Sequence, residues 1–425
     1  MTVIHFFKDI SENSLPYIFI KEMMDGDGTN ISSHLLLASA QTNQTLFPAE
    51  RCHAISSGKW ITSRSHKRFK KIIRELNPDI IHIHSAWGRT PWLIFKWAKK
   101  ARIPVVLSPH KDFMEWNFRH HYITSKLPHF ILMQRKMLQR ASAVHAVTKQ
   151  EYEVLQTLSW RPSESSTTAY NDKLALVIGA HEIDGVADTD RVGYEMSKLY
   201  RKVVDSNPFL LMNESCRLVE NRLLALGVAL NENADSDDIF IDMEDLSELL
   251  DKLTDEDWRL LQLHAYDQGI LPFVEKAVGI LHKGRQVLDI TSVERFDQHI
   301  ETAFLETAHP QIKVSRMKQL ASDYKHNPVE LKICTMLLNT KHLIGKRKIS
   351  RRNLADLYAA FRFCEYNEYT LENMLEEIGM LGFASRMVYI LHIAMGLEEG
   401  YVPFEMTNDS KTKKLIKQFF KSNMQ

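Results

Sequence analysis

Three short apolar runs stand out in the pattern of hydrophobic and polar positions along the chain. They lie within residues 77–88, 103–111 and 143–148, are rich in β-branched residues, and each follows a stretch with helical periodicity. Such runs are typical of parallel strands that are covered on both faces. Strand-type runs near residues 3, 34 and 174 extend the pattern. The sequence therefore predicts an α/β fold, with a Rossmann-like doubly wound parallel sheet over residues 1–185.

Polar residues follow these predicted strands directly. His84 and Ser85 end one run, Ser108 and His110 end the next, and Thr148 follows the third. In open parallel sheets the carboxyl ends of the strands line the ligand crevice. We therefore expect these side chains to point toward one site.

His82 and His84 lie two residues apart on one predicted strand and share a face of the sheet. Such a pair could bind a metal ion, but the sequence shows no third ligand nearby, so no metal site is predicted. We interpret His82 as a core histidine whose ring is hydrogen-bonded to the backbone.

The motifs in this region resemble the N-terminal domain of GT-B glycosyltransferases, of the retaining family-4 type that builds bacterial surface polysaccharides. The resemblance is specific over residues 77–158, is weaker over residues 1–76, and is not recognisable after about residue 185. The matching pieces, in order, are Pro78–His84, Ile103–His110, Trp116 and Ala141–Glu151.

The resemblance implies a transfer of sugar from a nucleotide-sugar donor to a glycan or lipid-linked acceptor, without a cofactor. It implies His110 as the catalytic residue, near the donor sugar. Lys111 stands where the family usually has glycine, and it could either pair with phosphate or block the approach of substrate. The residues expected to bind substrate are His84, Ser85, Trp87, Gly88 and Lys111.

The rest of the chain, residues 186–425, has mostly helical periodicity. The resemblance implies a second Rossmann-like domain with a glycine-rich turn and paired glutamates, but none is recognisable. We therefore predict one or more mostly helical domains that lack a recognisable nucleotide-sugar-binding motif. The amphipathic stretch 411–421 is either a docking helix or an interfacial membrane anchor.

Charged residues are distributed unevenly along the chain. Residues 51–150 hold 20 Lys and Arg against 4 Asp and Glu, whereas residues 151–300 hold 14 against 29. Either the basic part seeks an anionic partner or the two parts attract each other. Four cations form one stripe of a predicted helix and are either solvated or in contact with a lipid-phosphate surface: Arg64, Lys67, Arg68 and Lys71.

Two functions remain open at this point. One is a glycosyltransferase-like protein of surface polysaccharide or glycolipid biosynthesis, and the other is a non-catalytic relative that holds a partner protein through its helical region. No nucleic-acid partner is expected, because most of the tryptophans in the basic segment fall at core positions of helices. Four isolated cysteines and the lack of a long apolar run predict a cytoplasmic protein, with a peripheral position at the inner face of the membrane left open.

Overall fold

Two units make up the chain in the computed structural model. Unit 1 comprises Met1–Leu211 and Thr291–Asp297, and unit 2 comprises Met212–Ile290 and Gln298–Gln425. The structure describes residues 1–8, 10, 14–25, 31–39, 48–56, 61–114, 127–157, 173–179, 189–232, 241–281, 288–296, 309–323, 328–346 and 349–421.

A single sheet of parallel strands forms the centre of unit 1. The strand order is β3-β2-β1-β4-β5-β6-β7, which confirms the predicted doubly wound sheet. The short edge strand β3 was not predicted, because its three half-buried residues show no apolar run. The strands are β1 (Thr2–Phe7), β2 (Ser32–Leu37), β3 (Cys52–Ala54), β4 (Ile80–His84), β5 (Val105–Ser108), β6 (Ala143–Ala146) and β7 (Leu174–Leu176).

Helices cover both faces of this sheet. On one face, alternate residues such as Ile4 and Ile81 pack against helices that include α2, α3 and α5. On the other face, residues such as Val3 and Val106 pack against α1 and α6. The helices of unit 1 are α1 (Leu15–Asp25), α2 (Ser63–Leu76), α3 (Arg89–Lys100), α4 (Arg135–Arg140), α5 (Lys149–Thr157) and α6 (Thr189–Asp205), with a π-helical turn at Phe130–Gln134 before α4 and a single helical turn at Pro208–Leu211.

The strand order reverses between β1 and β4. The chain winds from β1 to β2 and β3 in one direction, and from β4 to β7 in the other. At such a switch point the connecting segments diverge and leave a crevice at the carboxyl ends of the strands. The ends of β1, β4 and β5 are therefore the place where this fold can accept a ligand.

Every regular element of unit 2 is helical in the part of the chain that the structure describes, which confirms a helical C-terminal region. The helix at the end of the chain buries Phe419 at 4% exposure, so its apolar face packs within the unit. Its helices are α7 (Glu214–Asn231), α8 (Met243–Asp251), α9 (Asp255–Asp267), α10 (Leu271–Ile280), α11 (Gln311–Asp323), α12 (Pro328–Lys346), α13 (Arg351–Phe363), α14 (Glu368–Glu377), α15 (Leu381–Met395) and α16 (Ser410–Lys421). None of the helices within the described ranges is both long and apolar enough to cross a bilayer.

The sequence places the domain boundary between residues 185 and 186, whereas α6 belongs to unit 1 in the structure. The difference arises because α6 lies on the sheet, where Met196, Tyr200 and Val203 are fully buried against it. Trp116, which carries part of the family resemblance, lies outside the described residues.

Helices α7 and α10 of unit 2 pack so closely that Gly227 cannot carry a side chain. A Cβ atom at Gly227 would lie 2.0 Å from the carbonyl oxygen of Phe273. We expect Gly227→Ala to destabilise unit 2 by about 1–3 kcal/mol, because the two backbones would have to separate. Chemical denaturation followed by far-ultraviolet circular dichroism measures this loss.

Gly279→Ala is the matched control, because Gly279 also lies within a helix and a Cβ there would meet nothing within 4 Å. Alanine there should stabilise the helix by up to about 1 kcal/mol. Equal effects of the two substitutions would contradict the close approach of α7 and α10.

Candidate functional site

Two loops at the carboxyl ends of neighbouring strands form the site. The β4 loop comprises residues 85–88 and the β5 loop comprises residues 109–114. Three residues that are not glycine have positive φ angles here: Ser85 at 130°, His110 at 50° and Lys111 at 68°. Such conformations cost on the order of 1–3 kcal/mol each and persist only where the surroundings enforce them. The loops are therefore held in shape by other contacts.

Asp112 links the two loops. Its carboxylate Oδ2 accepts hydrogen bonds from the backbone N–H of Ala86 at 2.8 Å and from the hydroxyl of Ser85 at 3.2 Å. The indole Nε1–H of Trp87 donates to the backbone carbonyl of Asp112 at 2.9 Å. These bonds connect the side chain and the backbone of Asp112 to three successive residues of the β4 loop. The two loops therefore form one rigid unit.

Glu151 holds the other side of the β5 loop. One carboxylate oxygen accepts from the N–H of Lys111 at 2.5 Å and the other accepts from the N–H of Val147 at 2.9 Å. Burial raises the pKa of Glu151 to about 7, although both backbone N–H groups act to lower it. The hydroxyl of Thr148 accepts from the N–H of Glu151, so Thr148 caps α5.

Lys111, at the position where the resemblance implies a glycine, has a backbone conformation that favours glycine. Its φ of 68° lies in the left-handed region, which glycine adopts without steric cost. Lys111 thus adds a charged side chain to the loop at a position where the backbone favours glycine.

One chain of hydrogen bonds runs from the core to the β5 loop. His84 is 2% exposed, and its Nδ1 lies 2.8 Å from Nε2 of His110. Its Nε2 lies 3.1 Å from Nδ1 of His5 on β1. The second nitrogen of His5, Nε2, is buried without a hydrogen-bonding partner. His84 thus fixes the ring of His110 instead of facing the crevice itself.

A second chain of hydrogen bonds crosses β6, β5 and β4, between Val177 just after β7 and Tyr200 on α6, and its direction follows from its bond to Val177. Nε2 of His145 lies 3.1 Å from the carbonyl oxygen of Val177, so this nitrogen must carry the proton. In a neutral ring Nδ1 then accepts, and the hydroxyl of Ser108 donates to it at 2.6 Å. Ser108 in turn accepts from Nε2–H of His82 at 2.6 Å, and Nδ1 of His82 accepts from the hydroxyl of Tyr200 at 2.6 Å.

These buried histidines are neutral, since burial disfavours the charged ring. Burial lowers the pKa of His5 to about 3, with a smaller effect of His34, and lowers the pKa of His145 to about 4. Burial, followed by the neighbouring histidines, also lowers the pKa of His82 and of His84 well below the usual value. The ring nitrogens of His82 are hydrogen-bonded to the side chains of Tyr200 and Ser108. The prediction that the backbone supplies these bonds was wrong.

His5, which sequence reasoning missed, completes a group of three histidines close enough together to hold a metal ion. His5, His82 and His84 each offer a nitrogen, and these atoms lie within 4.8 Å of one another. Both nitrogens of His82 and of His84 are already hydrogen-bonded. A metal ion would therefore have to displace these bonds.

The structure brings together the six residues predicted for catalysis and substrate binding, but it places the predicted lipid-contact residues elsewhere. His84, Ser85, Trp87, Gly88, His110 and Lys111 lie on or beside the two loops. Arg64, Lys67, Arg68 and Lys71 are exposed on α2, which covers the sheet face opposite to the histidines. Lys71 also lies 3.6 Å from Glu75, in an exposed ion pair.

Asp112, His145 and Tyr200 were missed as parts of the site. His145 lies within a predicted strand, next to the one that Ser108 ends, so its position was a usable signal. Tyr200 lies 118 residues from its partner His82, and nothing local in the sequence indicates that contact.

Residues 44–167 match a family model described as a glycosyl transferase 4-like domain. The matched range contains β3 to β6, α5 and both strand-end loops, and it confirms the resemblance of unit 1 to the N-terminal domain of family-4-type glycosyltransferases. The match covers a part of unit 1 and does not extend into unit 2. No curated protein and no solved structure matches the chain.

The buried histidines predict that unit 1 loses stability in acid. His5 has a pKa of about 3 when folded and about 6.5 when unfolded, so the unfolded chain binds more protons between these values. Stability therefore falls as the pH is lowered from 6.5 toward 3. We expect His5→Asn to reduce this dependence by about 1.4 kcal/mol per pH unit, because an amide can still bond to His84 but does not titrate.

Urea unfolding from pH 7 to pH 4.5 measures this slope through tryptophan fluorescence, since six of the seven tryptophans precede residue 161. His129→Asn, at an exposed position, is the control for the substitution of a histidine. Glu151 changes the pH dependence in the opposite sense, because its raised pKa makes the folded state bind more protons. Its contribution is the same in wild type and in His5→Asn, so it does not affect the comparison. Identical slopes for wild type and His5→Asn would refute the neutral, buried state of His5.

Asp112 allows a separate test of the loop geometry. We expect Asp112→Ala to destabilise unit 1 by about 1–3 kcal/mol, because the N–H of the fully buried Ala86 loses its acceptor. Asp112→Asn is the control, since the bonds from Ala86 and Ser85 share one oxygen and an amide oxygen can replace it. Urea unfolding at pH 7 compares the two variants. Equal losses of unfolding free energy would show that the hydrogen-bond acceptor does not account for the destabilisation.

Proposed function

We propose that the protein is a glycosyltransferase of surface polysaccharide or glycolipid biosynthesis, which transfers a sugar from a nucleotide-sugar to a glycan or lipid-linked acceptor. The observation that carries the proposal is the pair His84–His110 at the switch point of the sheet. Its two rings are 5.1 Å apart, and their loops are held by Asp112 and Glu151. The match of this segment to a glycosyltransferase model supports the same function.

In this proposal His110 is the residue that contacts the sugar to be transferred. Catalysis of group transfer depends on donors that are already oriented where charge develops. The bond from His84 to Nε2 orients the His110 ring, and the left-handed backbone of His110 sets the direction in which the ring leaves the loop. His84 is thus a positioning residue.

Lys111 would supply positive charge to a phosphate of the donor or of a lipid-linked acceptor. An ammonium group at hydrogen-bonding distance stabilises phosphate strongly where water is excluded. The Lys111 backbone is fixed by Glu151, so the side chain starts from a defined point beside His110. Gly88, with a φ of 103°, ends the β4 loop and begins α3 on the other side of the crevice. Together with Ser85 and Trp87, it would shape the substrate side of the crevice.

The exposed stripe Arg64, Lys67, Arg68 and Lys71 would place unit 1 against an anionic membrane surface at the inner face of the membrane. Each basic residue near such a surface contributes about 1 kcal/mol of attraction. In this arrangement the protein is peripheral, and the acceptor reaches it from the membrane.

A second candidate is a non-catalytic scaffold, and the composition of unit 2 supports it. Its described elements are all helical, and two large apolar side chains are strongly exposed there, Ile312 at 86% and Tyr369 at 72%. In this case unit 1 would bind a glycan or phosphate without turnover, and unit 2 would hold a partner protein.

His110→Ala separates the two candidates. If the protein is a transferase, we expect the rate to fall about 10- to 1,000-fold, as for the loss of one positioned hydrogen-bond donor. Titration calorimetry with uridine, guanosine and cytidine diphosphate sugars, followed by turnover assays with the donor that binds, measures the effect. His129→Ala is the control at an exposed position outside the loops.

The scaffold predicts a different outcome. Wild type should then bind none of these nucleotide-sugars, and His110→Ala should change only the affinity for a partner. An unchanged thermal unfolding midpoint in the variant is needed in both cases, so that a loss of fold is not mistaken for a loss of function.

A further inference from the structure

A cavity of about 390 Å³ lies between α2 and α3, away from the strand-end loops. Its size is within the range of small-molecule sites. Its lining combines an apolar floor with basic side chains. The apolar members are Phe69, Ile73, Trp97 and Ala101, and the others are His66, Lys70, Arg74 and Lys100.

The spacing on the two helices explains this lining. His66, Lys70 and Arg74 follow one another at four-residue intervals on α2, so they share one face of that helix. On α3, Trp97 and Lys100 lie three residues apart on the facing side. The rings of His66 and Trp97 stack at 4.7 Å and form one wall of the cavity.

The positive charges of the lining converge on the cavity. Burial lowers the pKa of His66, and the charges of Lys70 and Lys100 lower it further, which shows that both ammonium groups act on this ring. No acidic residue lines the cavity among the residues that the structure describes. Among the described residues, none of the three cations Lys70, Arg74 and Lys100 is paired with a carboxylate.

These features select a class of ligand. Three unpaired cations around a small opening favour a phosphate group, and a guanidinium such as that of Arg74 can bind two phosphate oxygens at once. The apolar floor of Phe69 and Ile73 favours a ligand whose remaining part is apolar. A simple inorganic anion would leave that floor in contact with water.

We propose that this cavity binds a phosphate ester with an apolar substituent, such as the headgroup region of an anionic lipid. The site is distinct from the crevice at the strand ends, because α2 and α3 cover the opposite face of the sheet from the histidines. It is also distinct from the exposed stripe on α2, whose four cations do not line the cavity. The proposal does not depend on transferase activity.

The decisive comparison uses two double variants with the same change in charge on the same helix. Lys70→Gln/Arg74→Gln removes two cavity cations, and Lys67→Gln/Arg68→Gln removes two exposed cations beside it. The probe is dihexanoyl phosphatidic acid below its micelle concentration, measured by titration calorimetry on the full chain. We expect the first variant to lose at least about tenfold in affinity and the second less than about threefold. Equal losses would overturn the proposal in favour of diffuse attraction.

A third variant blocks the cavity without changing charge. Ala101 is exposed at the end of α3, so Ala101→Phe should fold and fill part of the cavity. We expect it to abolish binding of the probe while all cations remain. Unchanged binding would overturn the assignment of the cavity.

Two further binding measurements distinguish free phosphate from a lipid as the source of the phosphate group. Inorganic phosphate should bind at least about tenfold more weakly than the probe, because it lacks the apolar part. Vesicles with phosphatidic acid in phosphatidylcholine should bind wild type, and Lys70→Gln/Arg74→Gln should bind them more weakly than Arg135→Gln/Lys136→Gln, which removes two exposed cations of α4 outside the cavity and outside the stripe. Inorganic phosphate that binds as tightly as the ester, or a probe that does not bind, would refute the proposal.

Discussion

Burying imidazole rings on the face of a sheet costs free energy for every polar atom that lacks a partner, and this cost organises the core of unit 1, where Nε2 of His5 is the exception among the nitrogens of His5, His82, His84 and His145. The carbonyl of Val177 fixes the proton on His145, and the chain of bonds then determines the protonation of each member up to Tyr200. Because Tyr200 belongs to α6, that helix is joined to the sheet by a hydrogen bond as well as by apolar packing. The α/β unit therefore extends along the sequence beyond its last strand and includes α6.

The strands could be predicted from the sequence, but most of the site could not. Runs such as Ile80–Ile83 are visible because fully buried parallel strands carry β-branched residues on both faces. The polar contacts depend on the register between strands, which aligns His5 with His82 although 77 residues separate them. Asp112 and Glu151 stabilise loops that are 26 and 40 residues away, and no local pattern marks a carboxylate for that purpose.

Unit 2 also buries a polar group that needs partners, but there the group is a carboxylate and two of its neighbours are basic side chains. Glu220 is fully buried within the helices, where its carboxylate lies 2.5 Å from Nδ1 of His264 and 3.7 Å from Arg351. Burial alone would raise the pKa of Glu220, but His264 and Arg351 together hold it below its usual value. A buried carboxylate of this kind tolerates the loss of neither partner, because the remaining charge would be left uncompensated. Helical periodicity predicts the helices of this unit but not the charged group between them.

The left-handed backbone of Lys111 has a consequence for how this protein can change. A lysine in that conformation costs about 1–2 kcal/mol, which glycine would not. Selection for thermal stability alone would thus favour glycine at this position, and the gain would come with the loss of a cation from the crevice. Stability and crevice charge are opposed at this residue, so a laboratory lineage evolved only for heat resistance would drift toward a more neutral crevice.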